Sequence, residues 1–270
     1  IEVEVDLSQG LHSFSVVGLP DKAVEESKDR ISAAIKNSGF VSPQKKNQRV
    51  TISLAPADLK KEGPVFDLAI ALAYLLASKQ ISFDVNGKIF LGELALDGAI
   101  RPVKGILALV KYAQKQGFKE IFVPKKNAKE AALVRGAKIF NCESLSDVVK
   151  HLNEKDVFNL SEQPETQIDF KDLIEGINFD FSDIKGQESA KRGLEIAAAG
   201  GHNVLMVGPA GTGKTMLAKA LAAILPPFSF EEVLETTLIH SVAGSLQEDF
   251  LSERPFRSPH HTSSYVALVG

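Results

Sequence analysis

The chain has 270 residues, 44% hydrophobic and 24% charged, with 31 Lys and Arg against 34 Asp and Glu and a formal net charge of -3. This composition excludes a disordered chain, and at roughly 150 residues per domain it predicts about two globular domains. The near-neutral total excludes a global basic excess for nucleic acid, so any such footprint must be regional.

Ile1 to Val5 and Leu11 to Val17 alternate apolar and polar residues around Ser8-Gln9-Gly10, which predicts a hairpin of half-buried strands. After Gly18-Leu19-Pro20, Asp21 is placed to cap a helix in which Val24, Ser27, Ile31, Ala34 and Ile35 recur at helical spacing until Gly39. A strand over 49–55 and the polar turn Lys60-Lys61-Glu62-Gly63-Pro64 precede an almost wholly apolar helix over 66–77, which should be buried. That helix is the longest apolar run and is interrupted by Asp67, well short of the roughly 18 to 20 residues that cross a membrane, so a soluble, cytoplasmic protein is expected.

Ile89 to Leu96 is strand-like, Asp97-Gly98 signals a hairpin, and Ala99 to Val103 returns. Helices over 106–116, 127–134 and 144–152 then interleave with strands over 121–123 and 138–141, which is an α/β (α+β) order. Cys142, the single cysteine, excludes an internal disulfide framework and suits a reducing compartment or a small buried apolar position. Residues 101–138 hold ten Lys or Arg and two acids, a regional candidate for phosphate contact or simply a solvated face. Between Glu143 and Glu188, twelve acids outnumber four cations, which marks a domain boundary.

Gly208-Pro209-Ala210-Gly211-Thr212-Gly213-Lys214-Thr215 is a complete G-x-x-x-x-G-K-T loop. It follows the apolar run Asn203 to Val207, expected to be a strand, and opens a helix carrying Met216, Leu217, Ala220, Leu221 and Ile224. The glycines allow backbone N–H groups and the helix N-terminus to face phosphate oxygens. Lys214 is expected to meet the β and γ phosphates of ATP and Thr215 to ligate Mg²⁺. Hydrolysis also needs an acid at the end of a later strand, and no apolar strand ending in Asp-Glu follows residue 215. The chain is therefore expected to bind nucleotide without hydrolysing it. It begins directly in a strand pattern and stops in apolar sequence, so truncation at both ends is expected, with the hydrolytic residues beyond Gly270.

Ser182-Asp183-Ile184-Lys185-Gly186-Gln187, Ala199-Gly200-Gly201-His202-Asn203 and the phosphate loop resemble the start of a magnesium-chelatase-related AAA+ module. The segments 17–24, Val-Gly-Leu-Pro-Asp-Lys-Ala-Val, and 254–264, Arg-Pro-Phe-Arg-Ser-Pro-His-His-Thr-Ser-Ser, resemble the bacterial YifB/ComM family over essentially the whole chain. The resemblance implies a Lon-protease-like (ribosomal protein S5 domain 2-like) domain at 1–153, an acidic linker at 154–170 and the first part of a P-loop AAA+ domain at 171–270. It further implies a hexameric, ATP-driven DNA helicase that promotes branch migration in natural transformation. A magnesium-chelatase-like motor acting on a protein partner is the alternative, and a Lon-like peptidase a third. Ile184, Gly186 and Gln187 would lie beside the adenine, and 254–264 near the central pore. The pair His260-His261 could be a metal pair or a phosphate clamp; a phosphate or subunit contact is favoured.

The departure from Lon lies in the turn Gly63-Pro64-Val65-Phe66-Asp67, where Val65 stands at the nucleophile position without a nucleophilic atom. In Arg101-Pro102-Val103-Lys104-Gly105-Ile106-Leu107, Leu107 falls where the resemblance puts the lysine base. No catalytic residue of the peptidase type is expected.

Overall fold

The structure is a computed structural model that describes residues 1–45, 47–153, 158–168, 180–251, 254–260 and 262–264. The fold is mixed α/β, with parallel and antiparallel sheets. Two compact units are present, one of residues 1–167 with 237–249, the other of 168–236 with 250–270. No helix among the described residues is long and apolar enough to cross a membrane.

In the first unit, strands β1 (Glu2–Gln9), β2 (Ser13–Val17) and β3 (Gln48–Ala55) form a sheet in the order β1-β3-β2. The expected hairpin of the first two strands is not formed. β3 lies between them, antiparallel to β1 with Glu2 opposite Ala55, and parallel to β2 with Ser13 opposite Arg49. The reason lies in β3 itself, whose Val50, Ile52 and Leu54 are wholly buried and demand the central position. A parallel pair needs a crossover, which helix α1 (Lys22–Asn37) supplies. Asp21 caps α1 by accepting from the Val24 N–H at 2.8 Å, and Val24, Ile31, Ala34 and Ile35 face the core as their spacing requires. Helix α2 (Asp67–Ala77) is buried on nearly every side, through Leu68, Ile70, Ala71, Leu72, Tyr74 and Leu75.

The expected strand at 89–96 is split into β4 (Lys88–Phe90) and β5 (Glu93–Leu94). Gly92, at φ 155, breaks it, and a Cβ there would come within 2.7 Å of Ile100. β5 pairs antiparallel with β6 (Ile100–Arg101) across the Asp97-Gly98 turn. After α3 (Ile106–Lys115) come β7 (Glu120–Pro124), α4 (Ala128–Ala131), β8 (Lys138–Cys142), α5 (Leu145–Leu152) and β9 (Glu162–Gln163). α4 is shorter than expected because its exit tightens into i to i−3 bonds, Leu133 N–H to Glu130 and Val134 N–H to Ala131. β4, β7 and β8 run parallel, β9 is antiparallel on the edge, and Phe90, Phe122 and Phe140 stack across the three with centroids 4.7 and 4.9 Å apart. Cys142 is buried in this core, which pushes its thiol far above the ordinary range and leaves it inert.

The second unit contains helices α6 (Glu188–Gly200), α7 (Lys214–Ile224) and the N-terminal part of α8 (Phe230–Ala243). Phe181, Ile184, Leu194, Leu217 and Ala220 form its small core. Asn203 to Val207 is not a strand here: it is irregular, and Leu205 and Val207 are each 88% exposed. An apolar run becomes a strand only when a neighbour completes its ladder, and no described strand lies beside it.

Candidate nucleotide-binding site

The loop at 208–215 turns on Gly211 and Gly213, at φ 79 and 84, both in the left-handed region that side chains disfavour. Gly213 is the N-cap of α7, so the unsatisfied N–H groups of the first helical turn open onto the loop. The Lys214 ammonium folds back to donate to the carbonyls of Gly208 at 2.8 Å and Pro209 at 2.6 Å. Thr212 Oγ1 donates to the Pro209 carbonyl at 3.0 Å and closes the other side of the ring. Thr215 is exposed on the first turn of α7.

A cleft of about 520 Å³ runs beside the loop. Gly208, Pro209, Thr212 and Lys214 form one wall, and Gln187 stands opposite, its Nε2 donating to the Thr212 carbonyl at 3.5 Å. Gln187 and Gly186 hold the left-handed turn that starts α6, at φ 61 and 70. Ile184 packs in the apolar core rather than lining the cleft, and its carbonyl accepts from Lys191 Nζ at 2.5 Å. Pattern reading of the loop missed the apolar part of the lining, which includes Leu194, Met206 and Leu217. The signal for two of them was the helical spacing that turns Leu194 and Leu217 inward.

Arg254, the first residue of the 254–264 segment, is fixed by the start of α8. Its Nε donates to the Pro226 carbonyl at 2.9 Å, its Nη2 lies 3.2 Å from Glu232 Oε1, and its guanidinium covers the Phe228 ring at 4.5 Å. Ser229 and Glu232 cap α8 reciprocally, at 2.8 and 3.2 Å, and hydrogen bonding from Ser229, then the charge of Arg254, holds the Glu232 carboxyl below its usual value. His260 meets Thr262 through Nδ1 and Oγ1 at 2.7 Å. His261 lies outside the described residues.

In the first unit, Val65 and Leu107 each lie close to a buried acid. The Val65 carbonyl accepts from Gly92 N–H at 3.0 Å, and Leu107 is wholly buried. Two residues after Val65, the buried Asp67 carboxylate receives Arg30 Nε and Nη2 at 3.1 Å and Leu94 N–H at 3.2 Å. Burial pushes Asp67 up to about 7, against the pull of Arg30 and the Leu94 N–H. Leu107 N–H donates to Glu130 Oε1 at 3.2 Å, an acid also bound by Asn127 Nδ2 at 3.2 Å and Ser241 Oγ at 2.5 Å. Burial raises the Glu130 carboxyl above its ordinary value.

A phosphate-loop motif opening a helix, joined to a separate α/β unit, defines a class that the comparisons narrow. Residues 3–127 match the family model "Subunit ChlI of Mg-chelatase" and residues 180–270 match "Magnesium chelatase, subunit ChlI". The chain is 44% identical over 273 residues to the uncharacterized protein YifB of Escherichia coli and 43% identical over 275 residues to the competence protein ComM of Haemophilus influenzae. Each alignment covers 100% of this chain and 52% of the relative, so the chain spans about half the length of the curated relatives it matches. A more distant similarity, 25% identity over 167 residues covering 56% of this chain and 29% of the relative, links it to Lon protease 2 of Bacillus subtilis. The chain belongs to the YifB/ComM family of magnesium-chelatase-related, AAA+-like proteins.

Proposed function

We propose that the chain binds ATP with Mg²⁺ through Gly208 to Thr215, and that in the full-length protein this site powers a motor acting on DNA. The observation that supports this most is the loop geometry, with two glycines in the left-handed region and α7 opening directly onto the loop. The donor set suits a nucleotide: free helix N–H groups for phosphate oxygens, the Lys214 ammonium for the β and γ phosphates, and an exposed Thr215 hydroxyl for Mg²⁺. Bound ATP supplies a phosphoanhydride bond; the residues present hold and orient it. Gln187, with Ile184 and Gly186 shaping its turn, is assigned to the base side of the cleft.

In this reading 1–153 is a Lon-protease-like domain without peptidase chemistry, 154–170 an acidic connector and 171–270 the first part of an AAA+ domain that assembles as a hexamer. Similarity to Lon protease 2 supports the first assignment, while Val65 and Leu107 supply neither nucleophile nor base. The DNA substrate, and a role in branch migration, rest on similarity to a competence protein. The two ChlI matches favour, as a second reading, a motor that remodels a protein partner. ATP hydrolysis by the full-length protein separates them: forked or single-stranded DNA should raise the rate several-fold. A rate indifferent to DNA at low salt contradicts the DNA reading.

A further inference from the structure

Of the ten cations between Arg101 and Lys138, Arg101, Lys125 and Lys129 are bound to Glu93, Glu143 and Asp249 at 3.5, 2.5 and 3.1 Å. A different group gathers around the outer face of α3. The helix reads Ile-Leu-Ala-Leu-Val-Lys-Tyr-Ala-Gln-Lys, without an acid, and buries Ile106, Leu107, Val110 and Ala113. The opposite side therefore presents Leu109, Tyr112 and Lys115, with Lys111 alongside. Tyr112 is 66% exposed, which is unusual for a ring of that size on a helix with an apolar inner face. At its end α3 folds back, Phe118 N–H donating to the Ala113 carbonyl, and the exposed Lys119 follows immediately before β7 at the N-terminal end of the parallel strands. Lys119 adds one further exposed ammonium group after the end of α3, and its carbonyl accepts from Lys138 N–H at 2.8 Å. The next residue, Glu120, stands opposite Lys138 in register and is held by Lys88 at 3.2 Å. Among the described residues, Lys111, Lys115, Lys119 and Lys138 form no ion pair with a carboxylate.

We infer that this strip, Tyr112 with Lys111, Lys115 and Lys119, docks single-stranded nucleic acid, the ring stacking on a base and the ammonium groups meeting consecutive phosphates. The inference rests on the DNA reading above and adds to it a place and a strandedness. Lysines alone would serve duplex and single strand equally, because both present phosphates. An exposed ring among them favours the single strand, whose base faces are free to stack; in a duplex they are covered. The strip belongs to the first unit and the phosphate loop to the second.

Anisotropy titrations of the chain with a labelled oligothymidine over a salt series test this. Tyr112→Ala should weaken binding about tenfold, as loss of one stacked base does, while Tyr112→Phe should leave it within about twofold. Lys115→Glu with Lys119→Glu should lower the slope of log affinity against log salt by about 1 to 2. These side chains are exposed, so thermal unfolding should be unchanged and any loss is one of binding. If the wild type binds and all the variants bind equally well, the strip is refuted while the DNA reading stands. Equal affinity for duplex, or for anionic vesicles, with no effect of Tyr112→Ala refutes the single-strand assignment. A wild-type chain that binds no oligonucleotide, when the full-length ATPase is stimulated by DNA, refutes the strip alone; absence of both refutes the two together.

Discussion

Asp67 shows how a buried acid is accommodated at the start of an apolar helix. It opens α2 and is 1% exposed. An uncompensated carboxylate there would be untenable, and Arg30 answers it with a two-pronged contact at 3.1 Å. Because burial holds the folded pKa at about 7 against an ordinary 3.8, the folded state keeps a proton that the unfolded chain has released. The stabilisation from that proton is complete below about 4 and is lost as pH rises through 7. Relative to Asp67→Asn, which cannot titrate, the wild type should lose up to about 4 kcal/mol of unfolding free energy between pH 4 and 8. Urea unfolding of both proteins at several pH values measures this; parallel pH profiles would show that Asp67 stays ionised.

At the scale of elements, sequence patterns revealed what was local. α1 and α2 follow their apolar spacing, and the phosphate loop opens α7 because glycines, lysine and helix are contiguous. Pairing between distant segments was hidden. The order β1-β3-β2 depends on β3 competing for the place beside β1 that a hairpin partner would take, and alternation in each strand is the same either way. The apolar run 203–207 has the composition of a buried parallel strand, yet its ladder depends on neighbours that its own residues do not specify. Glu130 likewise gave no signal: its hydroxyl partner, Ser241 of α8, lies 111 residues away, and its other partners are the backbone of Leu107 and the amide of Asn127. The segment 237–249 joins the first unit through this acid and through Gly105 N–H, which donates to the Ser241 carbonyl at 3.1 Å. Ser241→Ala removes one of the bonds to a buried carboxyl and should destabilise the first unit by about 1 to 3 kcal/mol. Hydrogen exchange should localise the loss to 237–249 and the start of α3. Unchanged exchange there would mean that Glu130 does not hold the segment.

For the whole molecule, the net charge of -3 conceals a polarity. Cations concentrate between 101 and 138, acids between 143 and 188, and the folded first unit resolves the basic run into paired and unpaired sets. Two compact units divide the chain, one of which includes a segment of α8 far along the chain. The account depends on the smaller unit being a nucleotide site, and the direct measurement is a calorimetric titration of the chain with Mg²⁺ and a non-hydrolysable ATP analogue, beside Lys214→Ala. The wild type should bind one equivalent, and the variant, which keeps its fold but loses the charge-assisted contact to the phosphates, should bind at least about tenfold more weakly. Equal affinity of the two proteins, or no binding by the wild type, would contradict the assignment of Gly208 to Thr215 as the ATP site.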